Sequence, residues 1–275
     1  MLKMKFFSKS IFTVTAVLLL VLPAVSQESQ VNSTDMSAMV YGGIGFGQSE
    51  YGVSTSDDIT EIGGLGEGDA YSFEIGSLFN YSFVGAGINL TGVQLNDLKS
   101  DESTQYGDGN YLIFDLTLGL KLFTEPGDMG YTYVYGGFRY WQLNRDVSRE
   151  GSMPDSDYEA ELSGKGWIVG FRDYSTFPVG AFSIVLQTGL SFYSAPVDSI
   201  KVDGSSVSFT EDETEGEAVE LGLGVAFEEM GLSVVASARI DYNATVYTPD
   251  GATESKVLGV GYTQFFLTLS KDFSI

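Results

Sequence analysis

The sequence predicts an all-β fold, namely a transmembrane, antiparallel, up-and-down β-barrel of about ten strands, with eight or twelve as alternatives. Three observations predict it. Apolar and small polar residues alternate with a period of two in ten segments of the chain. Short and long connections between these segments alternate along the sequence. The N-terminus has the layout of an export signal.

The first residues predict export from the cytoplasm. Three lysines precede an apolar run of about a dozen residues, and Pro23 and the small residues Ala24-Val25-Ser26 follow it. We expect a signal peptide over 1–26, with cleavage between Ser26 and Gln27. A spanning helix needs about 20 apolar residues, so the run is too short to anchor the chain. A short periplasmic segment over 27–36 and a barrel domain over 37–275 are expected to follow.

The alternating segments are the predicted strands. Around Leu116, for example, leucine or phenylalanine occupies every second position and residues of other types stand between them. In the last segment the alternation changes phase between Tyr262 and Phe265, which predicts a β-bulge there. The ten segments are centred near Gly43, Ile75, Gly87, Leu116, Tyr135, Val169, Leu186, Leu223, Ala236 and Phe266.

The connections predict the topology. Short turns are expected near 80–81 and over 124–128, 175–180 and 228–231, and long polar loops over 48–69, 96–109, 145–163, 196–217 and 245–255. Outer-membrane barrels have short periplasmic turns and longer external loops. An even strand number then returns both termini to the periplasm, and five long acidic loops lie outside.

The composition of the two strand faces indicates which face meets lipid. In a soluble barrel the apolar face points inward, whereas in a membrane barrel it points toward hydrocarbon. The polar face here is rich in Gly and Ser and contains little Lys or Glu, unlike the surface of a soluble sheet. Aromatic residues also gather near the segment ends, as in interfacial girdles. We therefore expect the apolar face to point outward. A secreted, soluble β-barrel or sandwich binding protein is the alternative.

On these features the chain resembles the small outer-membrane β-barrel proteins of Gram-negative-type bacteria over its whole mature length. The resemblance is carried by the signal ending in Ser26, the alternating segments, and the C-terminal strand from Phe265 to Phe273. It implies location in the cell outer membrane, contact with outer-membrane lipid, and recognition of the C-terminal strand by the barrel-assembly machinery. Members usually end in an aromatic residue, whereas Ser274 and Ile275 follow Phe273 here.

The composition excludes several kinds of chemistry. The chain has no His and no Cys, which excludes Ser-His and Cys-His pairs, disulfides and the commonest zinc sites. A net charge of -23 argues against nucleic-acid binding, which needs Lys and Arg. We expect no enzymatic activity and no cofactor. An outer-membrane hydrolase that uses carboxylates alone is a third, weaker alternative.

The predicted inner face carries ionisable residues that need partners. Counting from the short turns places Asp115 opposite Arg139 and Glu220 opposite Arg239. These groups could form an ion-pair ladder that plugs a structural or surface-interaction barrel, or they could line a narrow, porin-like conduit. The sequence leaves both open, since ten strands leave little room inside. Further lumen charges are expected at Glu74, Lys121, Arg172 and Asp241.

Most carboxylates fall in the predicted external loops. A solvated surface explains them, and binding of divalent cations is the alternative. The residues Asp155, Asp157 and Glu159 have the opening spacing of a calcium loop. Ala160 and Gly166 stand where such a loop needs Gly and Glu, so we predict no true EF-hand.

Overall fold

The computed structural model describes residues 36–55, 66–96, 104–122, 130–149 and 156–274. The predicted signal peptide, its cleavage site and nearly all of the 27–36 segment lie outside these residues. No helix in the described ranges is long and apolar enough to cross a membrane. The strands are β1 (Met36–Thr55), β2 (Gly66–Tyr81), β3 (Val84–Leu95), β4 (Thr104–Leu122), β5 (Tyr131–Arg149), β6 (Ser156–Val179), β7 (Phe182–Ser194), β8 (Val197–Val202), β9 (Ser205–Val207), β10 (Phe209–Phe227), β11 (Leu232–Pro249) and β12 (Lys256–Ser274).

Ten of these strands close into an antiparallel barrel. Each of β1 to β6 pairs with the next strand, β7 pairs with β10, β10 pairs with β11, and β12 pairs with both β11 and β1. The short strands β8 and β9 form a hairpin. Its strand β8 pairs with the N-terminal part of β6, between Ala160 and Gly164, beyond the end of β7. All ten predicted segment centres lie in the ten barrel strands, so the predicted fold class and strand number are confirmed.

The strands are strongly tilted. A path around the barrel can be followed from each residue to its paired residue on the next strand. From Met39 of β1 this path passes through Leu78, Gly87 and Thr117 and then through the other strands. It returns to β1 at Tyr51, 12 residues further along the strand. For ten strands this stagger gives a tilt of about 40° and a backbone radius of about 10 Å. The tilt lies in the range of outer-membrane barrels.

Several strands are longer than the sequence indicated. The predicted turn over 175–180 is only the pair Gly180–Ala181, because β6 continues to Val179, and Gly180 takes the positive φ of 71° that the tight turn needs. At the other end, the predicted loop over 196–217 contains β8, β9 and the start of β10. These extensions were missed because their polar residues have the composition of loops.

In the lower and middle barrel the apolar residues point outward. Leu118, Leu223 and Phe265 are 65%, 62% and 62% exposed, whereas Glu74 and Ser270 on the opposite face are buried. The predicted direction of the two faces is therefore confirmed. A soluble barrel would show the reverse arrangement.

Toward the end of the barrel that carries the longer connections, the polarity of the two faces reverses. In β12 the outward residues Phe265 and Leu267 are exposed, but above them the buried apolar residues are Leu258, Val260 and Tyr262 on the inner face. The pairing of β12 with both neighbours is continuous through this region. The predicted β-bulge is therefore wrong. The change of phase in the sequence marks the place where the outer wall leaves hydrocarbon and enters water.

Candidate functional site: a charge cluster across the lumen

The centre of the lumen holds Arg139, a buried side chain of β5. Its Nε donates to Asp115 Oδ1 at 2.7 Å and its Nη2 to Asp115 Oδ2 at 2.8 Å, which is a bidentate pair between neighbouring strands. Its Nη1 donates to Asp241 Oδ2 at 3.0 Å, across the barrel on β11. One guanidinium thus joins two carboxylates from opposite walls.

A second group of charges is centred on Arg239 of β11. Its Nη2 donates to Glu220 Oε1 at 3.0 Å on neighbouring β10, and its Nη1 to Glu74 Oε2 at 2.8 Å on β2. The hydroxyls of Ser237 and Thr268 donate to these two carboxylates, so each buried acid has more than one partner.

Arg172 of β6 is held more loosely than the other two arginines. Its Nη2 lies 3.5 Å from Glu220 Oε2, and its side chain is 26% exposed, against 5% for Arg139 and 8% for Arg239. Glu220 is already bonded to Arg239. Arg172 is therefore the lumen arginine with the most freedom to move.

Aromatic rings support the arginines and were not identified from the sequence. The ring of Tyr193 lies 4.0 Å from the Arg139 guanidinium, and its hydroxyl donates to Asp241 Oδ1 at 2.6 Å. The ring of Phe266 lies 4.5 Å from the Arg239 guanidinium. Tyr193 can lie flat on β10 because Gly216 has no side chain there; a Cβ at that position would collide with the ring.

Above the charges, the lumen is filled by an apolar cluster. Trp141 and Leu143 of β5 are fully buried, and the Trp141 indole Nε1 donates to the carbonyl of Ala195 at 2.7 Å. Tyr193 and Tyr262 belong to the same cluster and link it to the charges below. The described lumen therefore contains a packed apolar core on this side of the charges.

Below the charges, tyrosines narrow the lumen. The rings of Tyr131 and Tyr174 stack with centroids 5.5 Å apart, and both side chains are buried beside Met39. Tyr133 belongs to the same cluster, and its hydroxyl donates to the carbonyl of Gly85 at 3.1 Å. The charge cluster thus lies between an aromatic layer and an apolar core.

Small cavities remain between these layers. Two have volumes of about 60 Å³ and a third about 20 Å³, enough for a few water molecules. Arg172 lines all three, with Asn89 and Tyr135 between the larger two and Tyr41 beside the smallest. The described lumen therefore holds water-sized spaces, and Arg172 is a side chain that contacts all three.

The remaining predicted site residues lie at the two ends. Lys121 lies near the end of the barrel that carries the short turns, where Asp272 is its electrostatic partner. At the other end the backbone N–H of Glu159 donates to Asp203. Asp155 and the side chain of Asp157 lie outside what the structure describes. Within the described ranges, no group of three His, Cys, Asp or Glu side chains is placed to hold a metal ion.

Two exposed ion pairs join β8 to β6 above the membrane. Lys165 Nζ lies 2.8 Å from Asp198 Oδ2, and Lys201 Nζ lies 2.9 Å from Glu161 Oε2. The hydrogen bond to Asp198 raises the pKa of the Lys165 ammonium, and the bond to Glu161 does the same for Lys201. They secure the hairpin that continues the wall beyond β7.

An apolar outer wall around a charged lumen is stable only where the wall meets hydrocarbon. Strands cross a bilayer only as a closed barrel, in which every backbone group is paired. The chain is an outer-membrane β-barrel. The lipid-facing belt and the closed ladder of ten strands support this assignment. They exclude the alternative of a secreted, soluble protein.

The barrel is similar to several solved structures. The translocator domain of the autotransporter NalP from Neisseria meningitidis is 15% identical, with 96% of this chain and 98% of that chain covered and a TM-score of 0.46. The outer membrane protease OmpT from Escherichia coli is 10% identical, with coverages of 90% and 99% and a TM-score of 0.48. OprG from Pseudomonas aeruginosa is 10% identical, with coverages of 90% and 100% and a TM-score of 0.35. No family model and no curated protein matches the chain.

Proposed function

We propose that this outer-membrane β-barrel is a closed barrel with a structural or surface-interaction role, and not an open porin. The observation that carries the proposal is the bridge that Arg139 makes between Asp115 and Asp241 across the lumen. The backbone of the barrel is about 20 Å in diameter, and a guanidinium that is paired on both sides occupies its axis.

The energetics favour a permanent closure. The three arginines and four carboxylates of the cluster are nearly all shielded from solvent, and the opening of one bond would leave a charge unpaired in a low-dielectric interior. The apolar core around Trp141 closes the lumen a second time, without charges. Passage of a solute would require both layers to move.

Single-channel recording in planar bilayers tests the proposal. We expect the purified wild-type barrel to remain electrically silent over long recordings. We expect Arg139→Ala combined with Trp141→Ala to conduct, because the double variant opens both layers. Steady conductance of the wild-type protein would overturn the proposal.

A narrow conduit is the second candidate, favoured by the cavities around Arg172. Arg172 contacts all three water-sized spaces, so a movement of this side chain widens each of them. Such a path would take water or small ions only. Osmotic swelling of proteoliposomes distinguishes the two candidates, since a conduit gives swelling that Arg172→Ala increases and a closed barrel gives none in the wild type.

We further propose that β12 is the strand by which the assembly machinery recognises the chain. Its outward residues Phe265, Leu267, Leu269 and Phe273 are exposed and apolar, and the outward Lys271 stands between the last two of them. Phe273→Ala should lower the amount of folded barrel in the outer membrane. An unchanged amount of folded protein would count against a role for this aromatic residue.

A further inference from the structure

The charged layer of the lumen has one more carboxylate than it has cations. In the described part of this layer, between the tyrosines below and the apolar core above, four buried carboxylates face three guanidiniums. The acids are Glu74, Asp115, Glu220 and Asp241, and the bases are Arg139, Arg172 and Arg239. One negative charge is therefore left over, and a buried charge without a counter-charge is costly.

The next cations along the described lumen lie too far away to balance this charge. Arg145 follows Arg139 by six residues on β5, which is about 20 Å along the strand, and the apolar core lies between them. Lys121 lies about 20 Å from Asp115 in the other direction on β4, where its electrostatic partner is Asp272. The charged layer must therefore be neutralised from within.

The hydrogen bonds assign the excess charge to Asp241. Arg139 donates to both carboxylate oxygens of Asp115, at 2.7 Å and 2.8 Å, so that only its Nη1 is left for Asp241. The second partner of Asp241 is the neutral hydroxyl of Tyr193, which donates to Oδ1 at 2.6 Å. Glu220, by comparison, has two guanidiniums within 3.5 Å. Asp241 therefore shares one cation with an acid that already binds it through two bonds.

Buried polar groups near Asp241 have no hydrogen-bond partner. Asn243 is the next inner residue of β11 and is 1% exposed, and neither its Oδ1 nor its Nδ2 is hydrogen-bonded within the described structure. The buried hydroxyl of Tyr111, from the opposite wall, also lacks a partner there. Among the charged groups, Asp241 has the strongest electrostatic interaction with the hydroxyls of Tyr111, Tyr193 and Tyr262. Orphaned polar atoms that converge on one carboxylate indicate a bound ion or water.

The lumen has space for a small ion beside this carboxylate. A cavity of about 60 Å³ is lined by Asp115, Glu220, Asp241 and Tyr262 as well as by the three arginines. This volume accommodates an ion together with a water molecule. Carboxylate, amide and hydroxyl oxygens are the ligands that hard metal cations take in proteins. A monovalent ion balances one negative charge, whereas a divalent ion would leave a net positive charge beside Arg139.

We propose that Asp241, Asn243 and Tyr111 form a binding site for one monovalent metal cation, sodium or potassium, inside the lumen. The carboxylate of Asp241, the amide Oδ1 of Asn243 and the hydroxyl oxygen of Tyr111 are its ligands, and the ion neutralises the charged layer. The site goes beyond the closed-barrel role, and it does not depend on whether the wild-type barrel conducts.

Equilibrium unfolding tests the site, because a ligand that binds only the folded state stabilises it. The purified barrel, folded in detergent, is unfolded in urea at constant ionic strength while choline chloride is replaced stepwise by sodium chloride or potassium chloride. We expect the urea midpoint to rise with the logarithm of the concentration of one or both metal ions. A midpoint that responds to neither metal ion would overturn the proposal. If such a midpoint responds to pH instead, a proton neutralises Asp241.

Substitutions locate the site within the lumen. Asp241→Asn removes the excess charge and should abolish the response of the urea midpoint to the metal ion. Tyr111→Phe keeps the ring and removes one ligand, so it should require at least tenfold more cation for the same rise. Asp198→Asn is the matched control, because it removes the carboxylate of the exposed pair with Lys165 and should keep the full response. If Asp241→Asn does not fold, Tyr111→Phe decides, and a wild-type response in that variant would overturn the proposed site.

Discussion

Arg139 of β5 and Asp241 of β11 meet across the lumen, with 3.0 Å between Nη1 and Oδ2, although their strands do not pair with each other. The same guanidinium holds Asp115 on the neighbouring strand. The bond therefore joins two distant parts of the wall directly, and it limits how far the barrel cross-section can flatten.

Removal of this arginine should destabilise the barrel. Arg139→Leu leaves two buried carboxylates without their cation, and we expect the free energy of unfolding in urea to fall by about 3–5 kcal/mol. Lys165→Leu is the control, because Lys165 is 59% exposed and its ion pair contributes at most about 1 kcal/mol. Similar losses in the two variants would mean that the lumen bridge contributes no more than a surface pair.

Replacement of Arg172 should have a smaller effect on stability. Glu220 keeps Arg239 and Ser237 as partners in Arg172→Ala, so we expect a loss of about 1–2 kcal/mol in the same unfolding assay. The substitution also enlarges the three cavities that Arg172 lines. A loss as large as that of Arg139→Leu would indicate that Arg172 is as firmly bound as the central arginine.

The two tryptophans should report opposite environments. Trp141 is fully buried inside the barrel, in the half that carries the longer connections, whereas Trp167 is 53% exposed on the outer wall. In Trp141→Phe, the remaining Trp167 fluorescence should be quenched strongly by lipids brominated on the acyl chains. In Trp167→Phe, the remaining Trp141 should be protected from them. Equal quenching would contradict the placement of Trp141 inside the lumen.

The position of the lipid belt predicts how the wall tolerates charge. Leu267→Arg places a cation on the exposed lipid face and should lower the free energy of unfolding by about 2–4 kcal/mol. Gln94→Arg on the upper outward face of β3 should cost about 0–1 kcal/mol, because that position lies near the membrane surface or above it. A large loss for Gln94→Arg would move the upper edge of the belt.

The fold could be predicted from the sequence because strand alternation has a period of two. This period identified all ten barrel strands and placed Asp115 opposite Arg139 by counting from a turn. Contacts across the lumen could not be found in that way. The pairing of Asp241 with Arg139 and of Glu74 with Arg239 depends on the stagger and radius of the closed barrel, which no two-strand pattern contains.

The strand ends next to the longer connections could not be predicted correctly from the sequence either. The sequence pattern assumed one solvent for the outer wall along its whole height, so the outward residues beyond Leu112 were interpreted as loop and the change of phase beyond Phe265 as a β-bulge. The inner residues there, such as Leu258 and Tyr111, are apolar because water surrounds the wall at that height.

Because the polarity of the two faces reverses along the strands, the effect of a substitution at an outward position depends on its depth in the membrane. One and the same replacement, such as leucine by glutamine on an outward position, should harm the protein low on a strand and be harmless or helpful a few residues higher. A systematic scan of outward positions would therefore map the level of the membrane surface around the barrel. A place where polar residues are tolerated lower on the wall than elsewhere would indicate a neighbouring protein that shields the wall from lipid.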